Sequence, residues 1–440
     1  MVKSRRLGKA VFCKRYQAPK GDGMEKGMKA LNYDVCVLGA GPAGVAAAIA
    51  ARRNNASVLL VERDGVVGGM STAGMLNIWC GDAYGSIFEY ICSKTTKLFP
   101  SGRRIYSPET LKILLIEMLE QAGVELLLHS FADEVCVQNG RVEKVGLSGK
   151  SGKITVNAKV FIDCTGDGDV CALAGVPFEM GREDGKLQPM TVQFCVGGVD
   201  ESKALFADVG TPYLKGKMQE YLADGRVSFP VGLLILIESL EPHTAHVNMT
   251  NVIDVDPTNV FDLTKAELTA RKQIPQIVRF LRENVPGYEN CYVAGSSAYA
   301  GARESRRICG EYVMSAADIQ SGTMFEDWIV DGAAYEFGIH NPKGRLDEED
   351  KKPKDNKMRY TIPYGCFTPK GIKNLMVAGR CISGDHYALS SYRVMPICFA
   401  MGEGVGTCTA LALAENTAPT ELSAEQISRV QRLIKQGIGF

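Results

Sequence analysis

Tyr33-Asp34-Val35-Cys36-Val37-Leu38-Gly39-Ala40-Gly41-Pro42-Ala43-Gly44 runs into an alanine-rich segment and then Ser57-Val58-Leu59-Leu60-Val61-Glu62-Arg63. The pattern is a buried strand, a glycine turn, a helix, and a second strand ending in an acid. Each part suits the grip on a dinucleotide. Gly39 permits the tight turn, Gly41 lets backbone N–H groups approach a pyrophosphate, and Gly44 lets the helix lie close to the strand. The helix N-terminus offers partial positive charge and unused N–H donors. Glu62 follows the glycines by about twenty residues, the spacing of a carboxylate that binds ribose hydroxyls. A glycine-rich turn alone is a weak signal; here strand, helix, second strand and acid agree.

Gly68-Gly69-Met70-Ser71-Thr72 comes soon after the second strand. Together with the first motif it resembles the glutathione-reductase-like flavoproteins, in which such a Gly-Gly pair lets the backbone run beside the cofactor phosphates. The resemblance implies FAD rather than NAD.

With 440 residues the chain exceeds one ordinary core, and two intertwined domains are expected. Formal net charge is zero, which argues against a nucleic-acid partner or an anionic membrane surface. The fourteen cysteines show no C-x-x-C or C-x-x-x-x-C pair, so a redox-active disulfide is not expected and most read as reduced core residues of a cytoplasmic protein. Five histidines without ligand-like clustering point to no metal site. Residues 1–30 are basic, lack the apolar run of a secretory signal, and are expected to form a disordered tail. No run approaches the length of a membrane-spanning helix on this reading.

Ser107-Pro108 opens a helix with Leu111, Leu114, Leu115, Met118 and Leu119 on one face, closed by Gly123. Val124–Leu128 reads as a strand, and Asn139-Gly140 between Glu134–Gln138 and Arg141–Leu147 as a type I′ hairpin. Val160–Cys164 is a further buried strand, entering Thr165-Gly166-Asp167-Gly168-Asp169. After Pro189 the pattern shifts to strands at Thr191–Val196, Leu233–Ile237 and His246–Ile253, with a helix from Thr264 to Asn284. The charged run Arg345–Lys357 reads as a solvated loop. Lys373–Arg380 returns as a strand ending in glycine, and Met395-Pro396 begins a small-residue helix through Ala414. The expected fold is α/β: a Rossmann-like FAD-binding domain, its parallel sheet carrying a β-hairpin insert, with an interleaved α+β substrate domain. The boundaries are 31–188 and 361–415 for the FAD domain, 189–360 for the substrate domain, and 416–440 for a C-terminal helical tail. No second G-x-G-x-x-G marks a nicotinamide domain.

From Tyr33 to Leu413 the order of motifs resembles a bacterial family of FAD-dependent oxidoreductases, in the same broad group as the flavoprotein subunits of fumarate reductase. The matching runs include Arg303-Glu304-Ser305-Arg306-Arg307, Ile339-His340-Asn341-Pro342, Gly379-Arg380-Cys381-Ile382-Ser383 and Arg393-Val394-Met395-Pro396. The resemblance implies FAD and redox chemistry without naming a reaction. Expected cofactor contacts are Gly39, Gly41, Pro42, Ala43, Gly44, Glu62, Arg63, Gly69, Met70, Ser71, Thr72, Val135, Thr165, Gly166, Asp167, Gly379, Arg380 and Met395. Relatives that attach FAD covalently near the Gly-Gly turn use a histidine there; this chain has Met70, Ser71 and Thr72, so FAD is expected to be non-covalent.

His386 is the leading acid/base candidate, because histidine titrates near working pH; a histidine bonded to loop backbone is the competing reading. Arg393 suits a carboxylate clamp, and Arg303 with Arg306 and Arg307 would share a helix face if that run opens a helix over Ile308–Ala317. Ion pairing to nearby acids is the alternative for those arginines. His340 is a weaker candidate, as are Cys80 and Tyr84. The expected activity is hydride transfer between FAD and a small polar or anionic molecule, with a separate electron acceptor. An electron-carrying subunit with a protein partner is the alternative, and an RNA-modifying flavoprotein a more distant one. Oligomeric state is left open.

Overall fold

A computed structural model describes residues 29–206, 212–232, 234–344, 353 and 358–439. The expected tail, up to residue 28, and most of the charged loop at 345–357 lie outside these. β1 spans Lys29–Leu38, α1 spans Pro42–Ala51 and β2 spans Val58–Val61. β1 pairs in parallel with β2 on one side and with the strand Gly152–Asp163 on the other. Val35 to Leu38 and all of β2 are buried, as strands in a parallel sheet covered on both faces must be.

The sheet continues beyond β2 with Glu125–Leu127, and beyond Gly152–Asp163 with the hairpin Arg141–Gly149 and Ser130–Gln138. Asn139 and Gly140 have φ of 51° and 70°, the two positive values a type I′ turn requires. The hairpin pairs with the first half of Gly152–Asp163, while the returning strand Leu375–Val377 pairs in parallel with its last three residues. One long strand therefore joins early and late parts of the chain.

A second, antiparallel sheet orders Ile235–Glu238, Thr244–Asn248, Phe194–Gly197 and Tyr292–Ser296. The helix Val260–Asn284 lays Ala266, Ala270, Ile274, Ile277 and Leu281 on it, a spacing that keeps one apolar face inward. This second core runs from Met190 to Ala300. Ile308, Met314, Ile329, Val330, Phe337, Tyr360 and Ile362 pack instead into the first core. The packing thus differs from the expected unit 189–360: the chain rejoins the first core well before the charged loop. Arg306–Ile308 is also a strand, paired antiparallel with Phe178–Met180, and the helix after it covers only Ala316–Ser321. Arg303, Arg306 and Arg307 hence share no helix face. Ser315 and Asp318 form a capping box that starts that helix late.

The helix Met395–Ala414 is buried on nearly every side, with Gly402 and Gly406 against α1. By length and composition it could cross a membrane, contrary to the expectation that no run comes near that length, and 89% of its most apolar window is buried inside the protein. An all-round apolar helix fits the centre of a core equally well.

Candidate active site

A cavity of about 830 Å³ runs between the two cores. At one end it is walled by Gly39, Gly41, Pro42, Ala43, Glu62, Arg63, Gly69 and Met70; Thr165, Gly166, Asp167, Gly379, Arg380 and Met395 line its middle. The three glycines of the first motif differ in what demands them. Gly39 has φ of 96°, and a Cβ there would meet the Cys164 carbonyl. A Cβ on Gly44 would press on the Gly39 carbonyl carbon at 2.8 Å, so this glycine sets the closeness of α1 to the sheet. Gly41 has φ of −68° and open space where a Cβ would go, so neither backbone nor protein sterics requires glycine. What remains is close approach of a ligand. No side chain caps α1 at Gly41, which leaves its first N–H groups facing the cavity as phosphate donors.

Glu62 is anchored by accepting from Ala40 N at 2.6 Å and Asp64 N at 3.0 Å. Burial pushes its carboxyl up, partly opposed by those backbone bonds. Each oxygen keeps a second lone pair for ribose hydroxyls. Gly68 and Gly69 turn with φ of 102° and 53°, and a Cβ on Gly69 would lie 3.1 Å from Gly41 Cα. Asp163 accepts from Thr165 N and Cys171 N, fixing the loop that presents Asp167. Asp167 pairs with Arg380 at 2.7 Å, and Arg380 also donates to Ser305 Oγ at 2.6 Å. Burial alone would raise the Asp167 carboxyl, but Arg380 and hydrogen bonding hold it below its ordinary value.

Four expected contacts do not reach the cavity wall. Gly44 packs on the strand; Ser71 and Thr72 donate to Gly68 O and Val67 O and tie their turn together. Val135 sits farther along its hairpin strand, opposite Val145, and Ser130, Phe131 and Ala132 line the cavity instead. The strand begins at Ser130, earlier than the Glu134 start its pattern suggests, and its first residues are the ones at the cavity.

The other end of the cavity gathers Arg303, His340 and Arg393. Arg303 is buried and donates to Pro189 O at 2.5 Å and, at 3.4 Å, to Asn248 Oδ1. Arg393 donates to Gln188 Oε1 at 3.2 Å and Gly338 O at 3.0 Å. Among the described residues, no carboxylate forms an ion pair with Arg303, His340 or Arg393. Burial, with Arg393 adding repulsion, pulls the Arg303 guanidinium down to about 9. Burial and the same two arginines hold His340 well below its usual value, so it is neutral at pH 7.

His386 does not reach the cavity. Asp385 caps its helix by accepting from Ala388 N at 2.7 Å, and His386 Nδ1 lies 2.9 Å from Glu304 Oε1. Glu304 is fully buried and also takes Arg307 at 2.6 Å, while Arg306 pairs with Asp169 at 2.8 Å. Two of the three clustered arginines are thus structural ion pairs, and the cavity histidine is His340. Cys80 lines the cavity; Tyr84 is exposed beneath Arg359. Gln188 and Asn248 carried no motif and were not anticipated.

A curated relative, digeranylgeranylglycerophospholipid reductase 2 from Methanopyrus kandleri, is 27% identical over 241 residues, 49% of this chain and 58% of the relative. The chain thus spans a little over half the length of that protein. An uncharacterized protein of Methanosarcina barkeri is 28% identical over 182 residues, covering 36% of this chain and 95% of that one. Among solved structures, a geranylgeranyl bacteriochlorophyll reductase-like protein from Thermoplasma acidophilum is 15% identical, covering 92% of this chain and 84% of its own, with TM-score 0.47. OxyS anhydrotetracycline hydroxylase from Streptomyces rimosus is 12% identical over 91% of this chain and 65% of its own, with TM-score 0.46. A family model described as FAD dependent oxidoreductase matches residues 34–434. The glycine cradle and that match, which takes in both cores, place the chain in the FAD-dependent oxidoreductase family, with FAD as its cofactor.

Proposed function

We propose that the protein transfers hydride between non-covalently held FAD and a small anionic organic molecule. The observation that carries this reading is the meeting of Arg303, Arg393 and His340 in one cavity without an acidic partner among the described residues. Buried charges without partners are costly, and a ligand carboxylate would relieve that cost with charge-assisted, forked hydrogen bonds. FAD, when bound, supplies the hydride chemistry. Arg303 and Arg393 orient the substrate anion. Neutral His340 can present either a ring N–H or a free ring nitrogen, and so hold or accept a proton beside the reacting carbon. Electrons leave or arrive through a separate acceptor. The finer kinship with fumarate-reductase-like flavoproteins belongs to this proposal and is supported by the motif series from Gly39 to Pro396.

A second reading has one observation behind it. Leu76, Ile78, Trp79, Ile235 and Ile237 give the same cavity an apolar wall. An anion bearing a hydrocarbon chain would use both ends, which accords with the name of the Methanopyrus relative. Anaerobic mixing of the holoenzyme with carboxylates, graded from short polar acids to prenylated acids, separates the readings by which ones bleach the flavin absorbance. Bleaching only by uncharged compounds would defeat both. Heating and filtering the holoenzyme should release all yellow colour; colour retained on the polypeptide would refute non-covalent attachment.

A further inference from the structure

We propose that Gln188 is a positioning residue that holds the anion site in shape while leaving its charge unspent. The inference rests on the anion reading given above. Gln188 is buried, and its Oε1 accepts from Arg393 Nη2 and from the backbone N–H of His340, each at 3.2 Å. Two converging donors fix which side-chain atom is the oxygen, since an amide nitrogen there would face them both. The next residue, Pro189, offers its carbonyl to Arg303. One dipeptide, where the chain leaves the first core for the second, therefore anchors three groups drawn from distant parts of the sequence.

The dipeptide is itself clamped. Gln188 N donates to Glu304 Oε2 at 3.3 Å, and Glu304 is held by Arg307 and His386. This gives the buried Glu304–His386 pair a role as foundation for the site. The choice of anchor matters for charge. Arg393 and Arg303 bond to an amide or backbone oxygen, which fixes direction without cancelling charge. A carboxylate at position 188 would fix Arg393 as well and neutralise it. The amide nitrogen of Gln188 has no partner among the described residues, so the side chain bonds within the site through its oxygen.

The test compares FAD-loaded wild type with Gln188→Glu and Gln188→Leu, titrated with benzoate, formate and the uncharged probe benzamide, followed by perturbation of the flavin spectrum. Both variants should keep FAD. Benzoate and formate affinity should fall by about ten-fold or more, the scale of losing a hydrogen bond to a charged group. Benzamide affinity should stay within about two-fold. Gln188→Glu keeps the side-chain shape and reads the charge effect even if Gln188→Leu fails to fold. Unchanged anion affinity in Gln188→Glu, or equal loss for anions and benzamide, would overturn the role of Gln188. A wild type that responds to neither anion would instead remove the anion reading, and this proposal with it.

Discussion

Replacing Gly402 by alanine should damage both stability and cofactor binding, although alanine normally favours helices. Gly402 lies inside Met395–Ala414 where that helix crosses α1. A Cβ at this position would run into the Ala43 carbonyl oxygen first, and would also sit 2.8 Å from the Ala43 carbonyl carbon and 2.9 Å from Ala46 Cβ. Carbon atoms in contact rest about 3.5–4.0 Å apart and the carbonyl oxygen is the nearer obstacle, so the helices must part by roughly 1 Å. A gap of that order forfeits about a quarter to a half of each contact along the seam, and overpacking typically costs about 1–3 kcal/mol. In a chain of 440 residues that loss lowers the melting temperature by about 1–3 °C. Because α1 begins at the cavity wall, FAD affinity should fall with it. Gly216, in the helix Pro212–Ala223, has nothing within 4 Å of where a Cβ would go. The same change there should stabilise by about 0.5–1 kcal/mol through helix propensity alone. Thermal melts of the two variants with and without added FAD decide the matter. If Gly402→Ala melts at or above wild type, the close crossing is not a constraint and the reasoning fails.

Arg393→Gln should lower benzoate affinity by about ten- to a hundred-fold while FAD stays bound; an unchanged titration curve would take Arg393 out of the site. Glu62→Gln must turn an amide N–H₂ toward Ala40 N or Asp64 N, and so should weaken FAD binding by about ten-fold or more in a fluorescence titration. His340 has a pKa depressed in the folded state, so between that depressed value and about 6.5 the unfolded chain binds the extra proton. Its contribution to stability is therefore intact above about pH 6.5 and is lost as pH falls, by up to about 1.4 kcal/mol per unit. The stability difference between wild type and His340→Gln, from chemical unfolding, should be flat above pH 7 and shift against wild type toward pH 5.5. A difference independent of pH would mean that His340 protonates freely.

The dinucleotide half was legible because its demands are local. Gly39, Gly44 and Glu62 act within one strand–turn–helix–strand unit, and their spacing carries the geometry. The far end of the cavity was not, because it is assembled by tertiary contact. Arg303, His340 and Arg393 lie on three separate segments, and only folding shows that His340, not His386, shares their space. The arginine run misled for a related reason: its apolar neighbours suggested a helix, but pairing with Phe178–Met180 made it a strand. Tertiary pairing overrides local propensity in so short a segment. Val135 shows the usual weakness at element ends: the strand starts a few residues early, and Phe131 and Ala132, not Val135, line the cavity.

The strand Gly152–Asp163, half paired with its own hairpin and half with Leu375–Val377, bears on how the protein is made. A chain emerging from the ribosome can build the first glycine turn and the hairpin early, yet the sheet keeps an open edge until residue 377 appears. α1 likewise waits for Met395–Ala414 to cover its apolar side. Contacts so distant in sequence close slowly, and exposed sheet edges invite association with other chains in the interval. Flavin capture is thereby deferred until these late segments appear, and truncation before Met395 should yield an insoluble, colourless product rather than a weakly binding domain.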